Sequence, residues 1–322
     1  MDRREFIALF TGIAVVWPLT AGAQQLSQPV VGYLGLTSAK GEAEMVDSFR
    51  KGLREAGFEK GRNVTVELRF AEGDISRLPA LAAELVRRNA SVMLAGTKVG
   101  AVAAKKTTST VPVVFVIGAD PIKSGLVAQL NRPGANLTGV SFFTNQMESK
   151  RLGLLPNVEL IGVLLNANNP FFDSQMKDLN EASRALSVKV DVERASTEAE
   201  IANAFKAFAQ HRAGAVLVGA DPYFNSQRSL VIDPVTQLRI PAIYEWREFA
   251  EAGGLMSYGT SLTDSFRQSA GFVARILKGE NPADLPVVKS TKFEFIINLK
   301  TAKQLDIVVP PGLSARADDI LE

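Results

Sequence analysis

Six short loops hold the side chains of this chain that could grip a small molecule. In the first half they are Leu36-Thr37-Ser38, Gly96-Thr97-Lys98 and Gly118-Ala119-Asp120. In the second half they are Asn166 to Pro170, Asp221-Pro222-Tyr223-Phe224 and Tyr244-Glu245-Trp246. The hydroxyls of Thr37, Ser38 and Thr97 suit a carboxylate, and equally suit the capping of a following helix. Asp120 and Asp221 each precede a proline, which fits a turn or cap as well as a ligand contact. Asp221 is the candidate for a cationic group, because an acid in a closed cleft needs a charged partner. Tyr223, Phe224, Tyr244 and Trp246 fit either a packed core or a ligand-stacking surface, since aromatics commonly line concave sites. Lys98 reads first as a solvated charge.

Covalent and metal chemistry are poorly supplied. There is no cysteine and a single histidine, His211. His211 falls between a helical stretch and the strand at Ala215, at the amino end of the sheet, opposite these loops. No G-x-S-x-G elbow, H-E-x-x-H pair or G-x-x-x-x-G-K-[ST] loop is present. No pair of carboxylates is singled out by spacing for glycoside cleavage. The expectation is a binder, with no catalytic residues, no cofactor and no metal.

Alternating β-rich runs and amphipathic stretches must position the loops. Strands are predicted at Val30–Leu36, Asn63–Phe70, Val92–Ala95 and Val113–Ile117, then at Leu160–Leu165, Val188–Val192, Ala215–Val218, Pro241–Tyr244, Leu255–Tyr258 and Lys292–Asn298. Between them, apolar residues recur at helical spacing, as in Val46, Phe49, Leu53 and Ala56, or Phe172, Met176, Leu179 and Leu186. Such alternation implies an α/β fold of two similar Rossmann-like lobes, each a parallel sheet flanked by helices. The break falls near Gly139 to Thr144, with crossings expected near Ser141, Gly259 and Pro286. Residues 24–140 with 259–285 then form lobe 1, and 141–258 with 286–322 form lobe 2. The carboxyl ends of such strands are where ligands bind, facing helix N-termini that favour anions.

The N-terminus indicates where the chain works. Arg3-Arg4 lead an apolar run from Phe6 to Trp17, and Pro18 and Ala21-Gly22-Ala23 close it. This is the order of an export signal over residues 1–23, with cleavage expected after Ala23. The pair with Glu5-Phe6-Ile7 resembles a twin-arginine signal, and the ordinary secretion route stays open. The 322-residue chain is 46% hydrophobic with net charge +2 and no block of like charge, which argues against nucleic acid as partner.

Several long stretches, in order, resemble the periplasmic substrate-binding proteins of ABC transporters, in the tryptophan/tyrosine-type branch with a type 1 periplasmic binding fold. They include Ser76-Arg77-Leu78-Pro79-Ala80-Leu81-Ala82, Val113-Val114-Phe115 through Asp120-Pro121, and Asn136-Leu137-Thr138-Gly139-Val140. Others are Ile243-Tyr244-Glu245-Trp246-Arg247-Glu248-Phe249, Gly253 to Gly259, Pro282 to Pro286 and Ile297 to Ala302. The resemblance implies two lobes joined by a multi-strand hinge, closing on a small solute. It implies a monomer that docks on a membrane permease served by a separate ATPase. It places Thr37, Thr97, Asp120, Asn168, Asp221 and Tyr244 around the cleft; with Ser38 and Trp246 from the loops, these are the expected ligand contacts. Lys98 departs from the family, which often has proline there, and Leu155-Pro156-Asn157 looks shortened. A ligand-sensing domain for a membrane receptor and a secreted hydrolase are the rival readings.

Overall fold

The computed structural model describes residues 28–142, 147–290 and 292–322, so the expected export signal lies outside the described residues. The first sheet is built from β1 (Val30–Gly35), β2 (Thr65–Phe70), β3 (Ala90–Ala95), β4 (Val113–Ile117) and β5 (Leu137–Ser141). The second holds β6 (Leu160–Leu165), β7 (Lys189–Arg194), β8 (Ala215–Val218), β9 (Ala242–Tyr244) and β10 (Met256–Thr260). The chain then returns to add β11 (Val288–Lys289) to the first sheet, and finishes with β12 (Phe293–Asn298) and β13 (Asp319–Leu321) in the second. The six-stranded order is β11-β5-β4-β3-β1-β2 and the seven-stranded order is β13-β12-β10-β9-β8-β6-β7. All pairings are parallel except β10 with β12.

The central strands are apolar on both faces because helices cover both faces. Val113–Ile117 and Ala215–Val218 are buried at every position. One apolar cluster runs from Val31 and Phe49 through Phe142 and Phe266 to Trp246 and Phe208, so the two sheets share a continuous floor. The helix Leu262–Leu277 follows β10 of the second sheet yet packs on Ala43–Glu55 of the first lobe. A side chain at Gly52 would meet the Arg267 carbonyl at 2.4 Å, so these two helices approach backbone to backbone there. Leu262, Phe266, Phe272, Val273 and Ile276 are buried on this helix, each worth about 1.5–3 kcal/mol of apolar burial.

The chain passes between sheets after Ser141, after Thr260 and after Lys289. The third passage lies beyond the expected Pro286, because Val288 and Lys289 pair with Val140 and Ser141. The passages run side by side: Ser290 N–H donates to Ser141 O at 2.9 Å, and Ser261 N–H to Lys292 O at 3.2 Å. Leu186, expected on a buried helix face, is 41% exposed, because its helix ends at that residue.

β5 appears where the sequence suggested a break, and Gly139 explains both facts. It sits at φ +154° and a Cβ there would lie 2.1 Å from the Phe115 carbonyl oxygen of β4. Gly139→Ala is expected to cost about 3 kcal/mol or more, since neither strand can shift without breaking the β4–β5 ladder. Urea denaturation of the purified variant checks this.

Candidate functional site

Between the lobes lies a cavity of about 430 Å³. It opens at the carboxyl ends of β1, β3 and β4 on one side and of β6, β8 and β9 on the other, as the strand-end rule requires. Of the expected contacts, Thr37, Thr97, Asn168, Asp221 and Trp246 line it together. Its other walls are mostly apolar, with Met45, Phe142, Phe171 and Phe266 prominent.

Asp221 is built into the second-lobe wall. It caps the helix Pro222–Ser226, its Oδ1 accepting from Tyr223 N–H at 2.8 Å and Phe224 N–H at 3.2 Å. Asn166 Nδ2 also donates to Oδ1 at 3.0 Å, and Asn169 Nδ2 donates to Oδ2 at 2.7 Å. Burial raises the Asp221 carboxyl above its ordinary range, while these hydrogen bonds pull it back down. The two asparagines are in turn fixed by their own turns, Asn166 Oδ1 accepting from Asn168 N–H and Asn169 Oδ1 from Phe171 N–H.

The first lobe supplies a second buried acid, Glu42, which sequence reasoning missed. Its Oε1 accepts from Thr37 N–H at 2.8 Å and Thr37 Oγ1 at 3.1 Å, and its Oε2 from Tyr33 O–H at 2.8 Å. Burial is the dominant influence and raises its carboxyl. The signal was available: an acid immediately ahead of the helix Ala43–Glu55, after the Thr37-Ser38 turn. Thr97 caps the helix Lys98–Thr107, its Oγ1 accepting from Gly100 N–H at 3.1 Å.

Among the described residues, Lys98 and Arg228 each reach across between the lobes near the cleft. Lys98 Nζ lies 4.5 Å from the centroid of the Phe171 ring. Arg228 Nη2 donates to Glu44 Oε1 at 2.9 Å, joining the helices Arg228–Leu238 and Ala43–Glu55.

Three expected contacts do not line the cavity. Tyr244 is fully buried, its ring stacked on Phe249 at 4.7 Å between centroids, so it is a core side chain. Burial alone drives its hydroxyl well above the ordinary tyrosine range. Asp120 caps a turn, its Oδ1 accepting from Ile122 N–H and Lys123 N–H. Ser38 closes the turn ahead of Gly41, whose N–H it accepts at 3.1 Å. In the last two cases the local backbone donors claimed the side chain, the alternative open from the sequence.

A different set of donors lies far from the cleft. Asp191 and Glu193 on β7, with His211 at the end of the helix Glu198–Gln210, place three metal-ligand atoms within 4.8 Å of one another. His211 Nδ1 already meets Asp191 Oδ2 at 2.8 Å, and this contact raises the imidazole above its ordinary value. Among the described residues, no helix is long and apolar enough to cross a membrane.

Residues 31–321 match the profile of the family described as ABC transporter substrate binding protein. The tyrosine-binding protein of Clostridioides difficile strain R20291 is 24% identical over 261 residues, covering 80% of this chain and 75% of that one. A conserved domain protein from Vibrio cholerae superposes with a TM-score of 0.82 at 26% identity, over 91% of this chain and 99% of that one. The ABC domain from Streptococcus pneumonia, solved in complex with L-Trp, gives 0.81 at 25% identity, over 92% and 100%. The two-sheet architecture with flanking helices is the type 1 periplasmic binding fold that these structures share. The match over almost all of the described residues makes the chain a member of the ABC transporter substrate-binding protein family.

Proposed function

We propose that this protein is the periplasmic solute-binding component of an ABC importer, and that it captures an amino acid with an apolar or aromatic side chain. The observation that carries the reading is the cavity itself: an anchored acid, Asp221, on one wall, an apolar and aromatic interior, and strand ends from both lobes. The ligand's ammonium would lie at Asp221. Its side chain would pack among Met45, Phe142, Phe266 and Trp246. Its carboxylate would lie toward the start of the helix Lys98–Thr107. The two relatives named for tyrosine and L-Trp support this choice of ligand class.

Function follows from closure. A ligand that touches both lobes favours the closed state by its differential affinity for it. The side-by-side passages after Ser141, Thr260 and Lys289 form the hinge in this reading. The closed, loaded form would be recognised by a permease whose separate ATPase supplies the energy. Residues 1–23 would direct export, leaving a monomeric binder outside the inner membrane.

The test is a thermal-shift and calorimetry screen of residues 24–322 against amino acids, aromatic acids and amines. An aromatic or large apolar amino acid should raise the melting temperature, because a ligand that binds only the folded state stabilises it. The mature chain would contain a single tryptophan, Trp246, so non-indole ligands should also change its fluorescence. No shift with any amino acid would overturn the assignment.

A further inference from the structure

We infer that Lys98 is the residue that makes this cleft select an amino acid over the corresponding amine. The inference rests on the ligand reading above and adds to it the charge logic of the cavity. Four carboxylates line the cleft: Glu42 and Asp221, both buried, and Glu72 and Asp74, exposed at its margin. Against them, Lys98 is the one cation lining the cavity among the described residues. Arg228, the next basic group near the rim, is engaged by Glu44 and by the Asn225 carbonyl and side chain.

This asymmetry treats the two ends of an amino acid differently. An ammonium entering the cleft meets an acidic environment wherever it sits, so no single acid supplies all of its attraction. A carboxylate enters a cavity whose field opposes it. The hydroxyl of Thr97 accepts from Gly100 N–H as the cap of its helix; its proton can still donate to a carboxylate, but it brings no positive charge. Glu42 occupies both the N–H and the hydroxyl of Thr37. The remaining partner able to neutralise an anion is the Lys98 ammonium. Remove it and the carboxylate stays desolvated among acids, the costly arrangement for a buried charge.

The position of Nζ supports the role. Lys98 is the first residue of its helix in the first lobe, and its side chain reaches the Phe171 face on the second lobe, 4.5 Å from the ring centroid. The cation therefore rests inside the cleft, spanning from one wall to the other, with a weak aromatic contact that an incoming carboxylate can replace. A cation–π contact at a partly exposed site is worth far less than a charge-assisted hydrogen bond to a carboxylate. The same reach means that a ligand carboxylate held by Nζ ties a first-lobe helix to the second-lobe wall, so Lys98 couples recognition of the acid group to closure.

The experiment compares matched ligands by calorimetry on residues 24–322: L-tryptophan, tryptamine and indole-3-propionate, and in parallel L-tyrosine, tyramine and 3-(4-hydroxyphenyl)propionate. Wild type should bind an amino acid more tightly than its amine. Lys98→Met should reduce that ratio by about tenfold or more, by weakening the amino acid while leaving the amine unchanged or tighter. Lys98→Arg should retain at least half of the logarithmic preference, and both variants should keep the ligand-free melting temperature. A ratio unchanged in Lys98→Met, or an amine bound as tightly as its amino acid by wild type, overturns the role of Lys98 and leaves the amino-acid reading standing. Failure of all six compounds to bind wild type overturns the aromatic amino-acid reading and this inference with it.

Discussion

Asp221→Ala is expected to weaken an amino-acid ligand at least about a hundredfold and to destabilise the ligand-free protein at the same time. The two effects have one origin. The carboxylate caps the helix Pro222–Ser226 and receives both Asn166 and Asn169. Deleting it removes a cap worth about 1 kcal/mol. It also leaves the buried Asn166 amide without its acceptor, at about 1–3 kcal/mol, while Asn169 Nδ2 keeps its bond to the Ala220 carbonyl at 3.0 Å. The binding loss is separate: a desolvated ammonium deprived of its counter-charge costs about 2–5 kcal/mol. Asp221→Asn separates the terms. Its amide oxygen can still accept from Tyr223 and Phe224, while its NH₂ offers no charge to an ammonium and faces the Asn169 donor. It should fold with less loss than Asp221→Ala and still bind at least tens of times more weakly. Calorimetry read beside urea melts gives both quantities. A folded Asp221→Asn with native affinity would remove Asp221 from the ligand site.

Much of the scaffold that holds this acid is legible in the sequence. The strands Val113–Ile117, Leu160–Leu165 and Ala215–Val218 coincide to the residue with the bounds that the sequence predicts. Each is a run of apolar residues ended by glycine or asparagine, interrupted only by Gly162 in the second, the pattern of a strand buried on both faces. β5 is not legible because Leu-Thr-Gly-Val-Ser has only two large apolar residues around its central glycine, and a glycine in so polar a run marks a break as readily as a close backbone approach. β11 and β13, two and three residues long, carry too little pattern to read. The helix Arg228–Leu238 contains Pro234, which speaks against a helix in sequence but is tolerated here.

The site was legible as a set of loops and less so as a set of side chains. The strand-end rule found the loops, because it depends only on the order of strands and helices. It could not say which side chain turns inward. Tyr244 and Trp246 are two residues apart, yet one stacks on Phe249 in the core and the other lines the cleft. Thr37 and Ser38 are adjacent, and only Thr37 lines it. Glu42 carries no sign of its role in the sequence, because an acid at a helix start ordinarily faces solvent. Its burial comes from Tyr33 and Thr37, which meet it only once β1 and the following turn are folded.

The largest stability effect is expected at the cleft end of the second lobe, beside β10 and its passage to the first, where three ionisable side chains are buried together. Arg151 is fully buried, with Glu148 and Glu245 each 2% exposed. Arg151 Nη1 meets Glu148 Oε1 at 3.3 Å and its Nη2 lies 4.0 Å from Glu245 Oε1. One cation thus serves two acids. Burial pushes Glu245 up to about 8, with Glu148, Glu248 and Asp221 raising it further and Arg151 lowering it. Burial likewise pushes Glu248 up to about 7. The direction of the pH effect follows. Between the ordinary value of 4.5 and these raised values, the folded state holds protons that the unfolded chain has released. The stabilisation is therefore complete below about pH 4.5 and is lost as pH rises toward 8, by up to about 1.4 kcal/mol per pH unit for each group. Glu245→Gln keeps the shape and removes one titration, so it should flatten the fall in stability and be more stable than wild type at pH 8. Arg151→Leu leaves the Glu148 carboxylate without its cation and should lose about 3–5 kcal/mol at pH 7. That loss should shrink toward pH 5, as Glu148, raised by burial, becomes neutral. Urea melts at pH 5, 6.5 and 8 read all three proteins. A Glu245→Gln profile parallel to wild type would show that Glu245 is ionised throughout, and that Arg151 can hold two carboxylates at once.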